Sequence, residues 1–156
     1  MPEQAWDVIE ALAENEMLIS RIYRTYAERF PDDREFWGTM AYEETQHADL
    51  VRSLGLEVKG GTVEFNSDGF DKTSLDMFHD YLKFSLARTQ EEDILPKDAL
   101  ETALAIEHDL IERNFFGFFE AKKGELSLIL EGLASSTRAH HRRLVQALEK
   151  SRGSRE

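Results

Sequence analysis

The stretch MAYEETQHADLV, residues 40–51, places two polar side chains inside an apolar helical pattern. Met40 and Ala48 lie one turn before and one turn after Glu44, so the spacing predicts an amphipathic helix with Glu44 on its inward face. His47 follows three residues later on that same face. Because a buried carboxylate is unfavourable unless it is paired or bound to a cation, this stretch predicts both a helix and a polar site in the core.

The same spacing of apolar residues recurs along most of the chain and predicts four long helices. The predicted helices cover residues 3–30, 31–54, 96–123 and 125–150. Pro31 and Pro96 suit the first turn of a helix, and Gly55 and Gly124 suit the end of one. Each pair of helices is therefore expected to form a hairpin with a short link.

A crossover of about residues 55–95 joins the two pairs. Its first part is rich in glycine and polar residues and predicts a connecting loop, in which TVEF, residues 62–65, is an extended piece. Thr73 and Asp76 are spaced like a capping box, and helical spacing predicts a short helix from Thr73 to about Arg88.

Two hairpins joined by one long crossover have the connectivity of a ferritin-like bundle. We therefore expect an all-α fold, a ferritin-like up-down four-helix bundle whose long crossover carries a short helix. The expected bounds are 1–152 for the single domain, about 3–54 and 96–150 for its hairpins, and 153–156 for a polar tail.

Composition narrows the classes of site and partner. The 156 residues include no cysteine, which excludes disulfides, thiolate zinc sites and iron–sulfur clusters, so any metal must be held by nitrogen and oxygen. The formal net charge of -12 disfavours nucleic acid and anionic membranes as partners. No apolar stretch is long enough to span a bilayer, and no signal-peptide pattern begins the chain, so we expect a cytoplasmic protein.

Six polar residues occupy positions where the apolar stripe of a helix requires an apolar one, or lie one turn from such a position. They are Glu16, Glu44, His47, Glu107, Arg138 and His141. Within each hairpin they lie at similar distances on either side of the turn, near Pro31 or Gly124. Since the helices of a hairpin run antiparallel, all six side chains are expected to meet in one layer, where Glu-x-x-His presents an oxygen and a nitrogen to one metal.

Four segments carry a resemblance to a known family. They are MLISRIYRTYA after Glu16, EETQHADL at 43–50, AIEHDLIERNFFGFFEA at 105–121 and TRAHHRRL at 137–144. Together they resemble the diiron-carboxylate domain of the rubrerythrins, whose pattern is a Glu on the first helix of each hairpin and Glu-x-x-His on the second. The resemblance implies that the metal ligands are Glu16, Glu44, His47, Glu107 and His141. It also implies that Tyr23 neighbours the site.

Arg138 departs from this family pattern, because it stands where the Glu of the second hairpin is expected. With three carboxylates and one guanidinium, the layer sums to about minus two, which suits a single divalent ion. Three states stay open: one ion held mainly by the first hairpin, two ions with Arg138 swung away, or no ion with the guanidinium bridging the carboxylates. Glu131 is the nearest further carboxylate, and His140 is able to exchange roles with His141, although its spacing favours a half-buried position.

Two hypotheses for function follow. The first is a rubrerythrin-like oxidoreductase that holds one or two iron ions and acts on peroxide or oxygen, with Tyr23 and Arg138 as candidate catalytic residues. Because the family's cysteine-rich electron-transfer module is absent, it needs a separate electron donor. The second is a metal-free binding or assembly module in which Arg138 replaces the metal. In either case the four phenylalanines of FFGFF, residues 115–119, cover more than one face of a helix. Some are expected to pack in the core, and the others predict a contact surface of a homodimer.

Overall fold

The computed structural model describes residues 2–122 and 124–153, which are mainly helical, as predicted. The α-helices of this part are α1 (Pro2–Arg29), α2 (Arg34–Gly60), α3 (Lys72–Arg88), α4 (Pro96–Arg113) and α5 (Gly124–Gly153). Two short strands, β1 (Val63–Phe65) and β2 (Phe119–Ala121), complete the regular structure, apart from single 3-10 turns at Pro31–Asp33 and Phe115–Phe118. None of the described helices is long and apolar enough to cross a membrane.

The helices pack in the order that the spacing predicts. α1 packs against α2, α4 packs against α5, and α3 lies on α1. Near the first turn, the Trp37 ring lies between Tyr23 and Tyr26, with centroid distances of 5.4 and 4.9 Å. All three are buried, and burial of such side chains contributes about 1.5–3 kcal/mol each. This packing holds α1 against α2 two turns away from Glu16.

The predicted end of α2 at Gly55 is wrong, because the helix continues to Gly60. A Cβ atom at position 55 would lie 2.9 Å from Ile9 Cγ2 and 3.1 Å from the Trp6 ring, so the glycine permits a close approach of α1 and α2. The helix ends instead at Gly61, whose φ of 84° is left-handed and whose N–H donates to the carbonyl of Glu57.

The predicted extension of α4 to residue 123 is also wrong. The helix ends at Arg113 because Asn114 adopts a left-handed φ of 44°, a conformation that asparagine tolerates better than most residues. The chain then enters β2, which pairs antiparallel with β1 so that Phe119 lies opposite Phe65. Residues 63–65 of the segment TVEF therefore form a paired strand rather than an extended loop piece.

The phenylalanines of residues 115–119 are used inside this chain. Phe115 and Phe119 are buried, and Phe119 contacts Phe65 with ring centroids 5.0 Å apart. Phe118 packs edge-on against Phe70 of the crossover at 5.2 Å. Packing between the crossover and the second hairpin therefore accounts for most of this aromatic surface, and the homodimer stays a prediction.

Candidate metal centre

Buried Glu and His side chains from α1, α2, α4 and α5 meet in two groups of three. The first triad is Glu16, Glu44 and His47, and the second triad is Glu44, Glu107 and His140. Within each triad, one ligand atom from each residue lies within 4.8 Å of the other two. These groups could hold a metal ion, and because Glu44 belongs to both triads, the two positions are adjacent.

Glu44 directs one oxygen to each triad. Its Oε2 lies 3.3 Å from His47 Nδ1, whereas its Oε1 lies 2.9 Å from His140 Nδ1. Only 1% of Glu44 is exposed, and the rings of the two histidines stack with centroids 5.6 Å apart. One carboxylate therefore faces both groups that could hold a metal ion.

Both histidines are held from outside by a second polar partner. His47 Nε2 lies 2.8 Å from Ser136 Oγ, and His140 Nε2 lies 3.0 Å from Glu43 Oε1. The Glu43 carboxylate accepts from His140 Nε2, so that nitrogen carries a proton. In both histidines Nδ1 is the nitrogen that faces the carboxylates. Sequence reasoning missed Ser136 and Glu43, although Ser136 lies one turn before His140 on α5.

Two oxygen atoms of the cluster have no hydrogen-bond partner in the described part of the chain. Glu107 Oε1 accepts a hydrogen bond of 2.8 Å from the Tyr23 hydroxyl, but Glu107 Oε2 is buried without one. Glu16 Oε2 also lacks a hydrogen bond, and it lies 3.9 Å from His47 Nδ1. Because buried carboxylate oxygens are strongly unfavourable when unpaired, these atoms fit a site that is built for cations.

The pKa values show how the cluster carries its charge without a metal. Burial, assisted by the Glu44 charge, raises the pKa of Glu16 well above its ordinary value and that of Glu107 to about 8. Burial opposes protonation of His140, but hydrogen bonds to Glu107 and Glu44 outweigh it and raise the pKa of His140 to about 11. Burial likewise opposes ionisation of Glu44, but hydrogen bonds from Glu16 and the two histidines hold its pKa well below the ordinary value. Protons therefore occupy sites that a metal would take over.

The metal-free protein is therefore expected to lose thermal stability as the pH rises from about 6 to about 9. Glu107 and His140 have pKa values raised from 4.5 and 6.5 to about 8 and about 11. A raised pKa contributes stability that is complete below the unfolded value and is lost as the pH rises through the folded value. The loss extends from pH 4.5 to about 8 for Glu107 and from pH 6.5 to about 11 for His140.

Melting temperatures across this pH range, with and without a divalent metal, measure the effect. Bound metal should abolish the fall, because its ligands are already deprotonated. The variant Glu107→Gln removes one titrating group and should flatten the slope of the metal-free protein. A melting temperature that stays level or rises with pH in the metal-free wild type would contradict this account.

The structure brings four of the five predicted ligands together and corrects the fifth. His141 is half-buried and lies against His108, with ring centroids 6.1 Å apart, outside both triads. His140, which is 0% exposed, takes its place. Successive side chains of a helix point in directions that differ by about 100°. When the inward position is assigned one residue too late, the predicted ligand therefore points away from the cluster. The buried stripe of α5 consists of Leu133, Thr137, His140, Leu144 and Leu148.

The placement of Arg138 in the ligand layer is likewise wrong. Arg138 is exposed, whereas Thr137, three residues before His140, is buried and donates its hydroxyl to the Leu133 carbonyl at 3.0 Å. Thr137 therefore stands where the resemblance places the Glu of the second hairpin. Glu131, the further carboxylate considered above, is exposed as well. Among the residues that the structure describes, the layer holds three carboxylates and no guanidinium.

Comparison with known proteins identifies no relative of this chain. No family model, no curated protein and no solved structure matches it. The geometry of this chain is therefore the only support for assigning the two triads as a candidate metal centre.

Proposed function

We propose that the chain is a ferritin-like, metal-binding oxidoreductase with a two-ion iron centre between its four long helices. The observation that supports this best is Glu44, whose two oxygens face two different histidines within one buried cluster. Three carboxylates and two imidazoles form the mixed oxygen and nitrogen set that iron accepts. The helical hairpins and the crossover agree with the way in which such bundles supply ligands from four helices.

Charge balance permits two ions as well as one. Two divalent cations carry about four positive charges, and the ionised carboxylates of the two triads supply three negative ones. Glu43 lies just outside with its Oε1 3.0 Å from His140 Nε2, but the Arg143 guanidinium, 2.9 Å from the same oxygen, offsets its charge. Since Arg138 lies outside the layer, the reason for expecting a single ion no longer applies.

The side chains of the cluster have separable roles. Iron bound there would supply redox chemistry towards peroxide or oxygen, with electrons from a separate donor. Burial of Glu44, Glu107 and His140 keeps bulk water away from the ligand atoms. Burial and the Glu107 charge raise the pKa of Tyr23 well above its ordinary value, so its hydroxyl stays protonated and orients Glu107 through their hydrogen bond.

The alternative of a metal-free module in which a guanidinium bridges the carboxylates has little support. Arg138, the only residue considered for that role, is exposed and takes part in neither triad. The unpartnered oxygens of Glu16 and Glu107 would also remain unsatisfied in such a module.

Metal content tests the proposal. Protein loaded anaerobically with ferrous iron and then desalted is expected to retain about two ions per chain, as in other two-metal carboxylate sites. Elemental analysis against protein concentration gives the number. The variant Arg138→Glu is the control: it adds a carboxylate outside the layer and should leave the number unchanged. Retention of about one ion per chain would support the single-ion hypothesis instead. Retention of no ion would contradict the proposed metal centre.

A further inference from the structure

A cavity of about 180 Å³ lies beside the first triad. Glu16 forms part of its wall, so the cavity reaches the first triad. Most of the remaining wall is apolar and includes Leu12, Phe78, Leu110 and Phe115. Arg138 and Asn114 also line it, and both are exposed, so they mark the side on which it opens to solvent.

The wall of this cavity includes a buried hydrogen-bond donor that no described residue uses. Asn15 lines the wall and is only 2% exposed. Its Oδ1 accepts a hydrogen bond of 2.7 Å from His79 Nδ1, which orients the amide, and its Nδ2 has no partner among the described residues. A buried amide N–H group without a partner is unfavourable, so an acceptor atom of a ligand would satisfy it.

Arg138 lies at the mouth of the cavity. No ion pair with a described residue engages Arg138, although the chain has a formal net charge of -12 and many carboxylates. A guanidinium presents a rigid fork of donors that matches a carboxylate in a bidentate manner. The net negative charge of the chain repels anions at a distance. At the mouth of an apolar cavity, however, a guanidinium that forms no ion pair with a described residue favours an anionic group on the ligand.

We propose that this cavity binds a small monocarboxylate with a compact apolar body. The carboxylate lies at Arg138, the body lies on the apolar wall, and an acceptor at the inner end faces Asn15. A cavity of about 150 Å³ accommodates benzene, so this slightly larger one suits a ligand of the size of benzoate. That such a ligand is a substrate of the metal centre rests on the proposed function, whereas its binding depends only on the cavity.

Binding of benzoate and of its neutral analogue benzamide to the metal-free protein tests the proposal. Benzoate is expected to bind at least about tenfold more tightly, because a charge-assisted bidentate pair is roughly twice as strong as neutral hydrogen bonds. 4-Hydroxybenzoate, which adds an acceptor at the inner end, is expected to bind more tightly than benzoate. Equal binding of benzoate and benzamide overturns the role of Arg138, and equal binding of the two acids overturns the role of Asn15.

Three variants locate the site. Arg138→Gln is expected to abolish the preference for benzoate, whereas Arg142→Gln, the same change at an exposed arginine outside the cavity wall, should retain it. Ala134→Phe fills the cavity and should abolish binding of both compounds while circular dichroism and melting show a folded protein. Loss of the preference in Arg142→Gln alone would overturn this placement.

Separate measurement of metal content distinguishes this inference from the proposed function. Iron binding without benzoate binding overturns the ligand and leaves the metal centre in place. Benzoate binding without iron binding leaves the ligand site and overturns its assignment as a substrate site. If both hold, benzoate should change the absorption spectrum of the iron-loaded protein, because Glu16 belongs to both the cavity and the first triad.

Discussion

Replacing Glu44 by glutamine is expected to abolish the binding of both proposed metal ions. Glu44 is the only residue that the two triads share, and each of its oxygens lies near a different histidine. The amide nitrogen of glutamine donates hydrogen bonds and does not coordinate metal, so at least one triad loses its oxygen ligand completely. The other loses the negative charge that offsets its cation. We expect affinity at both positions to fall by more than about 100-fold, the upper end of the cost of losing an outer partner.

The same change should appear in thermal stability. A ligand present at about 100 times its dissociation constant stabilises a protein by about 2.7 kcal/mol, which corresponds to roughly 5 to 11 °C for a domain of this size. The wild type should therefore show a rise of that order on addition of ferrous iron, and Glu44→Gln should show almost none. Calorimetry under anaerobic conditions, with iron content measured on the same samples, gives both quantities.

The matched control is Glu112→Gln, which makes the same chemical change at an exposed position of α4. It should keep both ions and the full thermal shift. Glu16→Gln is a second comparison, because Glu16 belongs to the first triad alone and its loss should spare the second. If Glu44→Gln retains two ions, the carboxylate does not bridge the triads and the two-ion centre is wrong.

The helical fold and four of the five proposed ligands could be predicted from the sequence for a physical reason. Glu16, Glu44, His47 and Glu107 each lie within a strongly periodic apolar stripe, so their inward direction follows from residues one turn away on either side. Their common height follows from counting residues from the turns. Both arguments depend on residues that are near in the chain. A small error in the predicted end of a long helix therefore does not change the inward direction of these side chains.

The errors arose where non-local packing decides the outcome. A glycine such as Gly55 commonly ends a helix. Here it lies inside α2, where the missing side chain leaves room for Ile9 of α1. Phe119 fits a helical apolar pattern, but it belongs to a strand because Phe65, far away in the chain, pairs with it. Neither partner is visible in the sequence around the glycine or the phenylalanine.

The choice between His140 and His141 is the error with the largest consequence for function. The stripe of α5 contains half-buried residues on both sides, so Leu144 and Val145 allow either histidine to be taken as inward. Leu133, Leu144 and Leu148 all lie on the buried face, and His140 is the histidine in register with them. Giving the leucine positions more weight than the alanine and valine positions would have identified His140 as the inward histidine.

A pair of substitutions decides this register directly. His140→Gln is expected to lose the ion of the second triad and retain about one ion per chain, whereas His141→Gln should retain about two. His140 is 0% exposed and its nitrogens contact Glu43, Glu44 and Glu107, so its loss also leaves buried acceptors unsatisfied. That costs about 1–3 kcal/mol in the metal-free protein, against about 0.5 kcal/mol or less for a change at His141.

Iron content and melting temperature of the two variants, measured side by side, give the answer. If His140→Gln does not fold, Glu43→Gln removes the negative charge beside His140 Nε2 and should weaken the second ion by about 10- to 100-fold while the protein remains folded. Loss of metal in His141→Gln with retention in His140→Gln would restore the register that the family resemblance implies. It would also return Arg138 to the ligand layer, because Arg138 stands three residues before His141 on the same face of the helix.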